Sequence, residues 1–99
     1  MLKINNFDKI IAANWKLNGS FEFISKYLEN LDNNNLNPRI CGIICPPSVY
    51  FEKFSLKIKP LYLGSQDCSK YEKGSYTGEI SSSMLSDLDC QFCIIGHSE

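Results

Sequence analysis

Two short apolar runs, Ile10-Ile11-Ala12-Ala13 and Phe92-Cys93-Ile94-Ile95, each end in a burst of polar residues, Asn14-Trp15-Lys16 and Gly96-His97-Ser98-Glu99. An apolar run without alternation is the pattern of a strand buried on both faces of a parallel sheet. Such strands deliver polar side chains at their carboxyl ends, where α/β folds build active sites. Strand signals over residues 10–14, 39–45, 61–66 and 90–97 alternate with helix-like segments, which predicts right-handed βαβ crossovers and one parallel sheet. The chain ends at Glu99, where a functional loop is expected to open, so it reads as part of an enzyme.

Ser20 is placed to cap a helix whose apolar face is Phe21, Ile24, Leu28 and Leu31, widened by Phe23 and Tyr27. The polar cluster Asn33-Asn34-Asn35 is expected to end it, and Pro38 begins the approach to the second strand. Pro46-Pro47 stop that strand, and Ser48 opens a short second helix over residues 48–54. A third helix is expected from Ser81 or Ser82 to Leu88. Residues 67–79 are polar, broken by Gly74 and Gly78, and lack a period; a loop of that length in a compact α/β unit is functional or disordered.

Four strands and three helices fit either an open doubly wound sheet or part of a (β/α)8 barrel. Asn14-Trp15-Lys16-Leu17-Asn18-Gly19 is not the G-x-G-x-x-G of a dinucleotide fold. The barrel fits better, but it needs about 250 residues. At 99 residues the chain supports one folding unit, expected to be the incomplete amino-terminal part, residues 1–99, of a single barrel domain.

A hydrophobic content of 43% with 21% charged residues is that of an ordinary globular chain. The ten basic residues are scattered and the formal charge is −1, which leaves no footprint for nucleic acid. No apolar run is long enough for a membrane, and the amino terminus lacks a signal-peptide core, so a soluble cytoplasmic protein is expected. Of the five cysteines, an odd number, three sit in or beside apolar strand-like runs where Cys acts as a small hydrophobe, and reduced core thiols are the expectation. Cys90 and Cys93 form a C-x-x-C, but strand alternation would send them to opposite faces, which argues against zinc or redox chemistry. No metal and no cofactor are expected.

Lys16, beside Asn14 after the first strand, could bring an ammonium and an amide onto a small anion, or be a solvated loop lysine. His97, the single histidine, could act as general acid or as neutral electrophile toward a carbonyl, or be a structural residue at a strand end. Glu99 could orient Lys16 by ion pairing or take part in proton movement; the frayed terminus is the plainer reading. Thr77 and Glu79 sit on the long loop. Tyr76 puts an aromatic ring there, against a partner surface or in local packing.

Asn14-Trp15-Lys16-Leu17-Asn18-Gly19, Cys45-Pro46-Pro47, Gly64-Ser65-Gln66-Asp67, Gly74-Ser75-Tyr76-Thr77-Gly78-Glu79-Ile80-Ser81 and Gly96-His97-Ser98-Glu99 together resemble the triosephosphate isomerase family, in its order and spacing, from about Lys9 onward. The resemblance implies the amino-terminal half of a TIM barrel and interconversion of dihydroxyacetone phosphate and glyceraldehyde 3-phosphate in glycolysis and gluconeogenesis. It implies that Asn14 and Lys16 bind substrate, that Lys16 supplies positive charge to the phosphorylated triose and the enediolate, and that His97 polarises the carbonyl. Glu99 matches a glutamate close to the lysine.

It also implies a homodimer in which the long loop enters the neighbouring subunit, with Thr77 at its tip, Leu17 packing near it, and Tyr76 buried between subunits. Only the first four strands of the family are present, without the carboxylate base, the lid or the late phosphate loops, so the isolated chain is expected to be inactive. Open sheet edges and an uncovered apolar interior should follow. The alternative is a truncated relic that does no catalysis and acts as an interaction module through the loop over residues 67–79. A small domain binding an anion through Lys16 is a further reading.

Overall fold

The computed structural model describes residues 2–31, 35–54 and 58–99. Four parallel strands, β1 (Lys9–Asn14), β2 (Ile40–Cys45), β3 (Tyr62–Ser65) and β4 (Cys90–Cys93), form one sheet in the order β1-β2-β3-β4. Doubly wound sheets reverse their strand order and carry helices on both faces. Here the order never reverses, and all three helices pack on one face. That is the winding of half a TIM barrel, and it decides between the two architectures left open by the sequence pattern.

The helices are α1 (Phe21–Asn30), α2 (Phe51–Phe54) and α3 (Ser82–Asp87). Ser20 caps α1, its Oγ accepting the Phe23 N–H at 3.0 Å, and Ser81 caps α3 through the Met84 N–H at 3.3 Å. Each bond satisfies one of the amides that a helix start leaves without a partner. The second helix begins as a 3-10 turn, Ser48–Tyr50, that runs directly into α2. Ile24 of α1, Phe51 and Phe54 of α2 and Leu85 of α3 meet Ile44 and Leu63 of the sheet in one core, with Ile58. Trp15 closes the top of that core, edge-on to Phe54, Phe23 and Tyr27 at centroid distances of 5.5, 5.2 and 5.4 Å. Asn33 and Asn34, of the expected polar cluster after α1, lie outside the described residues.

Several expectations are corrected. β1 is not a buried strand: all six of its residues are exposed, Ile10 and Ile11 included. It is an edge strand, and its apolar side chains have no layer over them. The opposite sheet face is not bare throughout, because Phe7, Tyr62 and Phe92 lie edge to face in a row over Cys41, Ile43 and Cys45 and bury them. β4 ends at Cys93, not at His97. Ile94 still donates to the Ser65 carbonyl, but Gly96 then turns left-handed (φ 67°) and takes the chain out of the ladder.

Cys90 and Cys93 do not point to opposite faces either. Leu63 pairs with Cys90, Gly64 with Phe92 and Ser65 with Cys93, so β4 carries one residue more than β3 over this stretch. A bulge of this kind resets the alternation. Leu63 and Ser65 share a face, so their partners Cys90 and Cys93 share it too. It is the helix-covered face, where Cys90 and Cys68 pack against the core.

Candidate active site

The segments that follow the two edge strands converge over the carboxyl ends of the strands between them. After β1 the chain turns sharply: Asn14 Oδ1 accepts the Lys16 N–H at 3.0 Å, and Asn18 Nδ2 donates to the Trp15 carbonyl at 2.8 Å. Lys16 itself is left-handed (φ 56°), a conformation that a side chain with a Cβ adopts at a cost. The Trp15 N–H still bonds the Cys45 carbonyl at 3.1 Å, so the turn starts from an anchored strand end. Asn14 therefore acts through the backbone, shaping the turn that carries Lys16.

Gln66, just past β3, ties the pieces together. Its Nε2 donates to the Lys16 carbonyl at 2.8 Å and to the Cys45 carbonyl at 2.9 Å, which spends both amide protons. Its own backbone carbonyl is bonded to His97 Nε2. A carbonyl only accepts, so His97 carries its proton on Nε2 in this contact. The imidazole thus presents a donor over the strand ends.

Lys16 Nζ lies 2.7 Å from Glu99 Oε1. The hydrogen bond from the Lys16 ammonium first, the backbone N–H of Glu99 next and the charge of Lys16 after it hold the Glu99 carboxyl below its ordinary value, and His97 adds a smaller pull in the same direction. The structure pairs Glu99 with Lys16. In a flat sheet β1 and β4 would stand three spacings apart, about 14 Å at about 4.8 Å per spacing. The segment over residues 94–99 and the Lys16 side chain together bridge that span.

Asn14, Lys16, His97 and Glu99 are thus brought together, and the residue that sequence reasoning missed as a site member is Gln66. Its signal was present in Gly64-Ser65-Gln66-Asp67 as a polar residue leaving an apolar strand, the same sign that marked Lys16. The cluster is open to solvent. Two cavities of about 490 Å³ lie at the other end of the sheet, one beside Leu61, Leu63 and Gln91 and one beside Phe7, Ile40 and Leu61. Among the described residues no group of three metal-ligating side chains is arranged around a common point.

Leu17, Tyr76 and Thr77 lie apart from this hydrogen-bonded cluster. Leu17 is 97% exposed. Tyr76 stacks flat on Tyr71 with ring centroids 3.8 Å apart, and Lys70 lies over the Tyr71 ring. The aromatic ring thus has a partner within its own loop. The Ser69 N–H to Ile80 carbonyl bond at 2.9 Å closes the loop at its base, and Thr77 is exposed on it. No helix among the described residues is long and apolar enough to cross a membrane.

Comparison with known proteins agrees with this geometry. The model of the family "Triosephosphate isomerase" matches residues 9–99. The triosephosphate isomerase of Hahella chejuensis is 41% identical over 93 residues, covering 92% of this chain and 38% of the relative. That of Colwellia psychrerythraea is 38% identical over 96 residues, covering 91% and 38%. The chain therefore spans well under half the length of the relatives it matches, and those 38% are the share expected of an amino-terminal part. With a family model matched along almost its whole length and a parallel sheet in sequential order that gathers Lys16, His97 and Glu99 at one end, the chain belongs to the triosephosphate isomerase family.

Proposed function

We propose that this chain supplies the lysine and histidine side of an isomerase active site that interconverts dihydroxyacetone phosphate and D-glyceraldehyde 3-phosphate, a step of glycolysis and gluconeogenesis in the cytoplasm. The observation that carries the reading is the Gln66 bridge, which holds Lys16 from one edge strand and His97 from the other in one site. Lys16 offers a mobile positive charge to a phosphorylated triose and to the enediolate that forms from it. His97, with its proton on Nε2, donates to the carbonyl oxygen that becomes negative. Glu99 keeps Lys16 in place until an anionic substrate competes for it.

Abstraction of the substrate proton needs a carboxylate facing the carbon, and Glu99 is engaged with Lys16. We assign that base, the lid and the remaining phosphate donors to the rest of the protein. Residues 1–99 alone are expected to be inactive, because loss of a positioned base forfeits about 10²–10⁴ in rate. No cofactor or metal is required for a proton transfer of this kind.

A homodimer goes with this reading. The loop over residues 67–79 is braced by its Tyr71–Tyr76 stack and exposes Thr77, while Leu17 offers bare apolar surface beside Lys16. The same loop would serve a non-catalytic interaction module.

The test is isomerase activity of residues 1–99 alone, of the same chain mixed with a separately expressed remainder of a related enzyme, and of the mixture with His97→Gln. Activity that appears only on mixing and falls at least a hundredfold with His97→Gln supports the catalytic reading. Association without activity would replace it with the interaction module.

A further inference from the structure

We infer that Tyr50, in the turn after β2, is a positioning residue for the reaction: its hydroxyl holds the exit of the Lys16 turn and so keeps the ammonium over the strand ends. The inference rests on the role proposed for Lys16. The Lys16 backbone is left-handed, and a strained residue of this kind persists only where its surroundings over-determine it. Within the turn, Asn14 accepts from the Lys16 N–H and Asn18 donates to the Trp15 carbonyl. From other elements, among the described residues, two side chains reach carbonyls of the turn. Gln66 bonds that of Lys16, and the Tyr50 hydroxyl donates to that of Gly19 at 3.2 Å. Gln66 thus fastens the middle of the turn, and Tyr50 fastens its end, just before Ser20 caps α1.

The contact depends on a close approach of backbone to ring. Gly19 has φ 137°, and a Cβ there would stand 3.0 Å from Tyr50 Cε2 and 3.4 Å from Tyr50 Cδ2, so the bare Cα is what lets the chain lie against the phenol. Tyr50 is itself held. Its N–H donates to the Pro47 carbonyl at 3.0 Å, and its half-buried ring meets Phe21 edge-on with centroids 5.8 Å apart. Lys53 Nζ lies 4.6 Å from the centre of the Phe21 ring, which joins the start of α1 to α2. A tyrosine used for packing alone needs its ring and not its oxygen; this one gives its proton to the segment that carries the lysine. Without that bond the segment over residues 15–19 can relax, and the ammonium spreads over positions away from the substrate. Misplacing a reacting group by about 1 Å can cost about a hundredfold, and the loss of one tether of two is expected to cost about 3–10-fold.

The test compares the whole protein with Tyr50→Phe, Lys16→Ala and the double variant. It reads kcat/KM for dihydroxyacetone phosphate, at enzyme concentrations high enough to follow Lys16→Ala, and hydrogen exchange over residues 15–19 by mass spectrometry. Tyr50→Phe keeps the ring, so exchange in α1 should stay at the wild-type rate while exchange over residues 15–19 rises about 3–10-fold and kcat/KM falls by about as much. With Lys16 removed the tether has no ammonium to place, so Tyr50→Phe should change kcat/KM by less than about twofold in the Lys16→Ala background. A hydroxyl that only stabilises the fold would lower both backgrounds alike. Wild-type exchange over residues 15–19, wild-type kcat/KM in Tyr50→Phe, or an undiminished loss in the double variant overturns the proposal. Full activity of Lys16→Ala is a separate outcome: it removes the role of Lys16 itself, and the positioning role of Tyr50 falls with it.

Discussion

The Lys16 ammonium and the Glu99 carboxylate, 2.7 Å apart, join the segments that follow the two edge strands of the sheet. Each is more than half exposed, so the contact is a weak clamp that salt screens. Its value is positional, because it parks the lysine over the strand ends beside His97.

The carboxyl of Glu99 is held below its ordinary value by Lys16, which fixes the sign of a pH effect. A depressed carboxyl contributes its stabilisation above the unfolded value of 4.5 and loses it as pH falls through the lower folded value. A carbon-13 titration of Glu99 should show a midpoint below 4.5, and Lys16→Met should return it upward. An unchanged midpoint in the variant would mean that the pair does not form in solution.

Gln66→Ala removes the two donors that reach the Lys16 and Cys45 carbonyls but keeps the backbone carbonyl that meets His97. It should therefore loosen the lysine turn more than the histidine. In the whole protein kcat/KM is expected to fall about 10–100-fold, with a loss of about 1–3 kcal/mol in urea unfolding for the orphaned acceptors. Stability loss with full activity would reduce Gln66 to a structural bridge.

Alternation of apolar runs and helical stretches made the βαβ order legible, and Ser20 and Ser81 announced the starts of α1 and α3 because a cap needs only local chemistry. Burial was not legible in the same way. Ile10-Ile11-Ala12-Ala13 has the composition of a covered strand, yet whether anything covers it depends on elements beyond its neighbours in sequence. The bulge that sets Cys90 and Cys93 on one face arises from the match of two strands, and no single strand reveals it. Gln66 was hidden for a related reason: a glutamine after a strand is common, and its role lies in two carbonyls that are 50 and 21 residues away.

The single tryptophan reports on the core it closes. Phe54 is fully buried and lies edge-on to Trp15. Phe54→Ala should cost about 3–5 kcal/mol and red-shift Trp15 emission as water enters. Denaturant titration followed by fluorescence measures both. A stable variant with unshifted emission would place the ring contact outside the solution structure.

Both helix caps are serines, but their settings differ. Ser81 is 4% exposed and Ser20 lies on the surface. Loss of either hydroxyl should cost about 0.5–2 kcal/mol, with Ser81→Ala at the upper end, because the bond to the Met84 amide is made from a buried side chain. Equal costs in urea unfolding would argue that the two amides are equally hydrated.

Gly64 sits where β3 crosses between β2 and β4, and its φ is ordinary, so its role is spatial. A Cβ there would stand 2.6 Å from Cys45 Sγ and 2.9 Å from Ile43 Cγ2. Both neighbours belong to the core beneath Tyr62 and Phe92, and Cys45 is 1% exposed, so neither can swing into solvent. Gly64→Ala should then destabilise by about 1–3 kcal/mol through overpacking. Cys45→Ala removes the nearer atom and leaves a small void, a cost of its own. In the double variant the new methyl group occupies part of that void, so the two costs should fall short of their sum by more than the about 0.5 kcal/mol allowed for independent sites. Strict additivity in urea unfolding would show that the sheet relaxes around residue 64 and that the glycine is not needed for the close approach of β2 to β3.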